Sequence, residues 1–329
     1  NNTFASTVAM TGATATFTNN ATVTGTATFS GTNPNIDSNT FTAGVTISEA
    51  NSDANIIHSS NTYNGAVAIN ANGHNFNTSN FNNTLGGSGN TLTFNTNGQN
   101  ANRNTFAGAI NLTGTNITIN NNTLNANATV LLKGNNATFT NNATVVENVT
   151  IQADGPNSVD NATVTGNTLT ANLVVNSDNS ANTINNNISG NTIGGTLTES
   201  GSANDMDNND ITGKLTSNGT NAIVNNSTLR NQLESNGSGL TFSNNSTVTG
   251  TAVFGGTNPT VNTNVFTAGV TISAANSNAN IIHSGNTYNG GVLVNANGYK
   301  FNNNSFNNTL GGNGNSITFN TNGQNANRN

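Results

Sequence analysis

The sequence predicts an all-β chain wound as a parallel β-solenoid. Three observations lead there. A long unit recurs along the chain, a short frame of alternating apolar residues recurs inside it, and almost no charge is present to support an ordinary globular surface. Lys and Arg number 6, Asp and Glu 12, and charged residues make up 5% of the 329.

The long unit is read first, because internal repeats decide the architecture. Thr22 to Asn104 returns as Thr247 to Asn329, an offset of about 225 residues with roughly three quarters of the positions identical. "TVTGTA" at Thr22 returns at Thr247, "TAGVTIS" at Thr42 at Thr267, and "NIIHS" at Asn55 at Asn280. Residues 22–104 and 247–329 are thus two copies of one part of a longer repeat. The expected organisation is one continuous solenoid over residues 1–329, cut from a parent that carries further copies.

The short frame reads Thr-apolar-x-Gly-x-apolar-x-apolar, with small shifts of the Gly. It appears as Thr40-Phe41 with Val45 and Ile47, Thr62-Tyr63 with Val67 and Ile69, and Thr105-Phe106 with Ile110 and Leu112. Thr192-Ile193 with Leu197, and Thr287-Tyr288 with Val292 and Val294, repeat it. A second apolar anchor follows, often just before an Asn pair. The expected series is Phe17, Ile36, Ile57, Phe76, Phe94, Ile119, Phe139, Val159, Ile184, Met206, Val224, Phe242, Val261, Ile282, Phe301 and Phe319. This predicts about 16 rungs of roughly 18–25 residues. Period-2 stretches such as "TNITIN" at Thr115 read as short strands with one buried face. Gly- and Asn-rich segments between them supply left-handed turn positions.

One such rung cannot bury its apolar face alone. Stacking rungs about 4.8 Å apart pairs every backbone group with the turn above and below and sets like side chains on like. Asn pairs at Asn19-Asn20, Asn141-Asn142 and Asn244-Asn245 are placed to bond through their amides along the stack. Such ladders would replace disulfides, since the chain has no Cys. The phased anchors argue against a disordered Asn-rich tract. The unequal rung lengths argue against an amyloid-like fibre of many chains.

The motif F-x-x-N occurs at Phe17-Asn20, Phe139-Asn142, Phe242-Asn245 and Phe301-Asn304. A G-G-A-I-like element occurs at Gly108-Ala109-Ile110, Gly194-Gly195 and Gly290-Gly291-Val292. These resemble the repeats of chlamydial polymorphic outer-membrane proteins and related autotransporter passengers, bacterial β-helical surface proteins of adhesin type. The resemblance implies a right-handed parallel β-helix that is secreted, extracellular or held at the cell surface, acting in adhesion or as a surface fibre.

Candidate chemistry is sparse. A net charge of −6 gives no basic patch for nucleic acid or anionic lipid, and no run approaches the 18 apolar residues of a membrane span. No catalytic constellation, phosphate-binding loop or cofactor motif stands out, so the expectation is a non-enzyme without cofactor. Asp205, Asp207 and Asp210 in "NDMDNND" form the one acidic cluster, a weak Ca²⁺ candidate on the ground that spaced carboxylates with Asn supply oxygen ligands. A solvated turn is the competing expectation. Glu147 and Asp154 are close in sequence but read as ordinary surface acids. His58 and His283 share a repeat position, while Tyr299 stands where the first copy has His74; exposed or rung-stacked imidazoles are expected rather than metal ligands. Thr-x-Thr at Thr14-Thr16, Thr22-Thr24, Thr91-Thr93 and Thr168-Thr170 raises an ice-binding face, but not on every rung.

The expected function is a structural segment of a long extracellular filament, self-associating end to end. The alternative is an adhesin whose lateral face binds host or matrix glycans or proteins.

Overall fold

The computed structural model describes residues 2–19, 22–53, 56–69, 74–77, 79–81, 92–94, 100–102, 105–106, 110–112, 116, 118–124, 126, 128–132, 136–152, 161–176, 185–274, 283–295, 299–307, 317–319 and 325–327. They belong to two compact units, Asn1–Thr170 and Ala171–Asn329. Each unit is a parallel β-solenoid. Every described strand is two to four residues long, and no helix occurs among the described residues.

Within either unit a strand pairs in parallel with the strand three places further along the chain, which makes three sheets. The recurring frame maps onto this directly. Thr40–Phe41 lies in the first sheet, Val45–Ile47 in the second and Ile57–Ser59 in the third. The next rung repeats them as Thr62–Tyr63, Val67–Ile69 and Asn75–Asn77. Phe41 pairs with Tyr63, Val45 with Val67, Ile47 with Ile69 and His58 with Phe76.

The pleat decides what is buried, because successive side chains face opposite sides of a strand. In the first sheet the second residue points inward: Phe41 and Tyr63 are buried, Thr40 and Thr62 half-buried. In the second sheet the first and third residues point inward, and in the third sheet the middle one does. The interior is therefore built of columns of like residues. Phe41 stacks on Tyr63 with ring centroids 5.3 Å apart and planes 6° apart. Phe266 stacks on Tyr288 at 5.2 Å and 6° in the second unit.

A polar column completes the interior at the corner between the third and first sheets. The last residue of that corner adopts positive φ and the next is a buried Asn or Ser. Ser60 (φ 56°), Asn121 (55°), Asn208 (56°) and Asn303 (54°) precede Asn61, Asn122, Asn209 and Asn304. Asn is the non-glycine residue that tolerates this region best, which explains the Asn pairs. The buried amides bond along the stack. Asn39 Nδ2 donates to Asn61 Oδ1 at 3.2 Å, Asn122 to Asn142 at 3.2 Å, and Asn142 to Asn167 at 3.0 Å. In the second unit Asn191 donates to Asn209 at 3.1 Å, Asn264 to Asn286 at 3.2 Å, and Asn286 to Asn304 at 3.1 Å. The other amide hydrogen reaches a backbone carbonyl of an earlier rung, as from Asn61 to Ile36 O at 2.8 Å. A group bonded in this way avoids the cost of an unmet buried polar group, about 1–3 kcal/mol.

The anchor series needs correction at several places. His58, not Ile57, holds the inward position of its strand and pairs with Phe76. Phe94 lies in the second sheet, paired with Ile69 and Leu112. Phe319 lies there too, paired with Val294. Val159, Ile184 and Ile282 fall outside the described residues; the inward residues of the third-sheet strands that follow them are Val164, Ile188 and His283. At Asn244-Asn245 both residues have positive φ, 61° and 65°, and the buried ladder member is Ser246. Asn20 lies outside the described residues.

Candidate functional site

Titratable groups inside a solenoid are the places where chemistry can differ from packing, and the described interior holds four of particular interest. Three are the histidines. His58, His74 and His283 are all fully buried. Of the two expected arrangements, exposed or rung-stacked, they take the rung-stacked one. His58 Nε2 and His74 Nδ1 share a hydrogen bond at 2.9 Å, and His74 Nε2 lies 2.9 Å from Glu49 O. Burial, followed by the neighbouring His74, pushes His58 down to about 3. Burial lowers His74 as well, against the opposing pull of the Glu49 carbonyl. Burial takes His283 to about 4; the Pro259 carbonyl favours its protonated form, yet neither ring nitrogen completes a hydrogen bond. All three rings are neutral at pH 7.

The fourth group is Glu199, fully buried in the second unit. It is the third residue of the strand Leu197–Glu199, an inward position. Its register partner on the next rung is Ser217, whose own partner is Ser235. The frame puts an apolar residue here on most rungs; this stretch puts a carboxylate and two hydroxyls. Asn204 Nδ2 donates to Glu199 Oε1 at 2.8 Å. Ser217 Oγ and the Gly219 backbone N–H donate to Oε2 at 2.8 and 3.2 Å. Burial raises the carboxyl above its ordinary value, while the donors from Asn204, Ser217 and Gly219 pull the other way. No charged side chain contributes to the shift. Three donors and no acceptor around the two oxygens suit the ionised form.

The acidic cluster is split by the fold. Asp205 and Asp207 are the first and third residues of one third-sheet strand, hence on one outward face. Burial and then the charge of Asp207 raise Asp205, and Asp207 Oδ1 accepts from Asn225 N at 3.1 Å. Asp210 lies in the first sheet and forms a paired contact with Arg230, Nε to Oδ1 at 2.7 Å and Nη2 to Oδ2 at 2.6 Å. The three do not converge, and no group of three or more His, Cys, Asp or Glu suited to a metal occurs among the described residues. Glu147 is half-buried; Asp154 lies outside the described residues.

No family model, curated protein or solved structure matches this chain.

Glu199 was not foreseen from the sequence, although a signal existed. Leu197-Thr198-Glu199 aligns with Leu215-Thr216-Ser217 one rung later, so the frame itself assigns Glu199 to an inward position. Among the described residues no helix is long and apolar enough to cross a membrane.

Proposed function

We propose that this chain is a structural segment of a long extracellular or cell-surface filament, wound as a right-handed coil, and that it serves by length and rigidity rather than by catalysis. The observation that supports this most is the interior Asn column. At its Asn steps a rung offers the next one amide hydrogens and presents the same acceptor oxygens to the one before, so a rung is complementary to a copy of itself. Such a stack extends by adding rungs, from further repeats of one chain or from another copy end to end. The polar but uncharged exterior favours an inert shaft.

The adhesin reading draws less support. Binding hot spots need large anchors, aromatic above all, and among the described residues the only exposed large hydrophobic side chains are Phe4 and Val146. Negative-stain electron microscopy of the purified segment, with a glycan array run on the same preparation, tests the choice. Straight rods that lengthen with concentration, without saturable glycan binding, are expected. Short monomeric particles that bind a glycan saturably would overturn the proposal in favour of the adhesin.

A further inference from the structure

The buried carboxylate has a neighbour that packing alone does not require. The backbone nitrogen whose hydrogen it accepts belongs to Gly219, the residue following Asn218. In an Asn-Gly pair that nitrogen is the nucleophile that can close on the side-chain amide carbon. Here it is free of the main-chain ladder, whereas its neighbours are held: Asn218 N donates to Glu199 O at 2.8 Å and Thr220 N to Gly201 O at 2.7 Å. On the other side, Asn236 Nδ2 donates to Asn218 Oδ1 at 2.9 Å, which polarises the carbonyl to be attacked. Asn218 is exposed, so ammonia can leave and water can enter, while Gly219 is buried against the carboxylate. Only glycine fits, since a Cβ at 219 would lie 2.1 Å from Glu199 Oε1 and 2.4 Å from the Gly201 carbonyl oxygen.

We propose that Asn218-Gly219 is a self-modification site, in which Glu199 acts as general base for closure of Asn218 to a succinimide and its hydrolysis to aspartate or isoaspartate. In the closing step the Gly219 nitrogen bonds to Asn218 Cγ and its proton passes to Glu199. The Cγ–nitrogen bond of the side-chain amide then breaks, and Glu199 returns the proton to the departing ammonia. Water adds to either carbonyl of the ring and opens it, leaving a new carboxylate on residue 218. The only co-reactant is water. A positioned base contributes about 10²–10⁴-fold to such a transfer, and the nucleophile is intramolecular from the start.

The molecule carries its own control one rung later. Ser235-Asn236-Gly237 repeats Ser217-Asn218-Gly219 in register, but Gly237 N donates to the Ser217 carbonyl at 3.3 Å and no carboxylate reaches it. The site rests on geometry independent of the filament reading.

The test is incubation of the full chain at 37 °C and neutral pH, followed by peptide mass spectrometry. Cleavage at Lys214 and Arg230 isolates Asn218 from Asn236. Conversion at Asn218 is expected to run about tenfold or more ahead of Asn236, and Glu199→Gln should bring it down to the Asn236 rate. Equal rates at the two sites, or an unchanged rate in a folded Glu199→Gln chain, would overturn the proposal. Should that variant not fold, the pH profile of the unaltered chain decides. The Asn218 rate should level off once Glu199 is ionised, while the Asn236 rate keeps climbing with hydroxide. Parallel profiles would also overturn it.

Discussion

The two copies of the long repeat, residues 22–104 and 247–329, lie in different units and show what this fold holds constant. Phe17, Phe29, Phe41 and Tyr63 in the first unit match Phe242, Phe254, Phe266 and Tyr288 in the second. Phe29 and Phe41 meet at 6.1 Å and 87°, Phe254 and Phe266 at 6.1 Å and 82°. The copies part at one ring. His74 becomes Tyr299, and the contact changes from a His58–His74 stack at 21° to a His283–Tyr299 edge contact at 77°. Yet His74 Nε2 lies against Glu49 O at 2.9 Å, and Tyr299 Oη donates to Ala274 O, the equivalent carbonyl, at 2.5 Å. What is kept is a planar ring that bonds one backbone carbonyl of the preceding rung. Its ability to titrate is free to vary. A second difference lies in the polar column. Asn286 donates from both its backbone and its side chain to Asn304 Oδ1, at 2.9 and 3.1 Å. The equivalent Asn61 N meets Ser79 Oγ at 3.3 Å.

These differences predict a graded set of effects, readable by hydrogen exchange in peptides from each copy. The largest belongs to the shared feature. Phe41→Ala and Phe266→Ala should each cost about 3–5 kcal/mol of local stability, since each empties a buried ring position. Unequal costs would break the equivalence of the copies. Next, Asn286→Ala should cost about 1–3 kcal/mol by leaving buried partners unmet. Asn61→Ala should cost less, because its bond toward the next rung is already weaker. Equal losses would show that the column does not depend on continuous amides.

Acid should then separate the copies. Above pH 6.5 the neutral rings are unprotonated in folded and unfolded chains alike. As pH falls below that, the unfolded chain takes up protons that the buried rings refuse, down to about 3 for His58 and about 4 for His283. Stability is lost across that window, and the first copy, with two such rings, should open faster than the second between pH 6 and 4. His74→Tyr should remove part of the gap, and protection factors, corrected for the intrinsic pH dependence of amide exchange, that stay constant with pH in both copies would refute the account. The smallest effect is a gain. Ser79→Asn should restore the amide step and add about 0.5–1.5 kcal/mol, measured as slower exchange in the rung that holds Asn61.

The frame made the sheets legible from sequence because its period matches the pleat. Thr40-Phe41, Val45 and Ile47 each take the face that alternation assigns. The third sheet was harder to read. Its strands have one inward residue, so a one-residue slip exchanges faces completely. In "NIIHS" hydropathy favours Ile57, whereas the register puts His58 inside, opposite Phe76. The same preference for apolar anchors hid Glu199. The Asp cluster looked convergent only along the chain; the corner at Asn208-Asn209 turns Asp210 onto another sheet and toward Arg230.

The amide column also has a sense. In the six Asn–Asn steps of the buried column given above, the side-chain nitrogen belongs to the earlier rung and the accepting oxygen to the later one. Within that buried column the amide dipoles therefore point the same way, and consecutive bonds polarise one another. Such a column has unlike ends, one offering oxygens and the other hydrogens. A fibre grown from it would carry an arrow: new material could join only in one orientation, and the two tips could grow at different speeds.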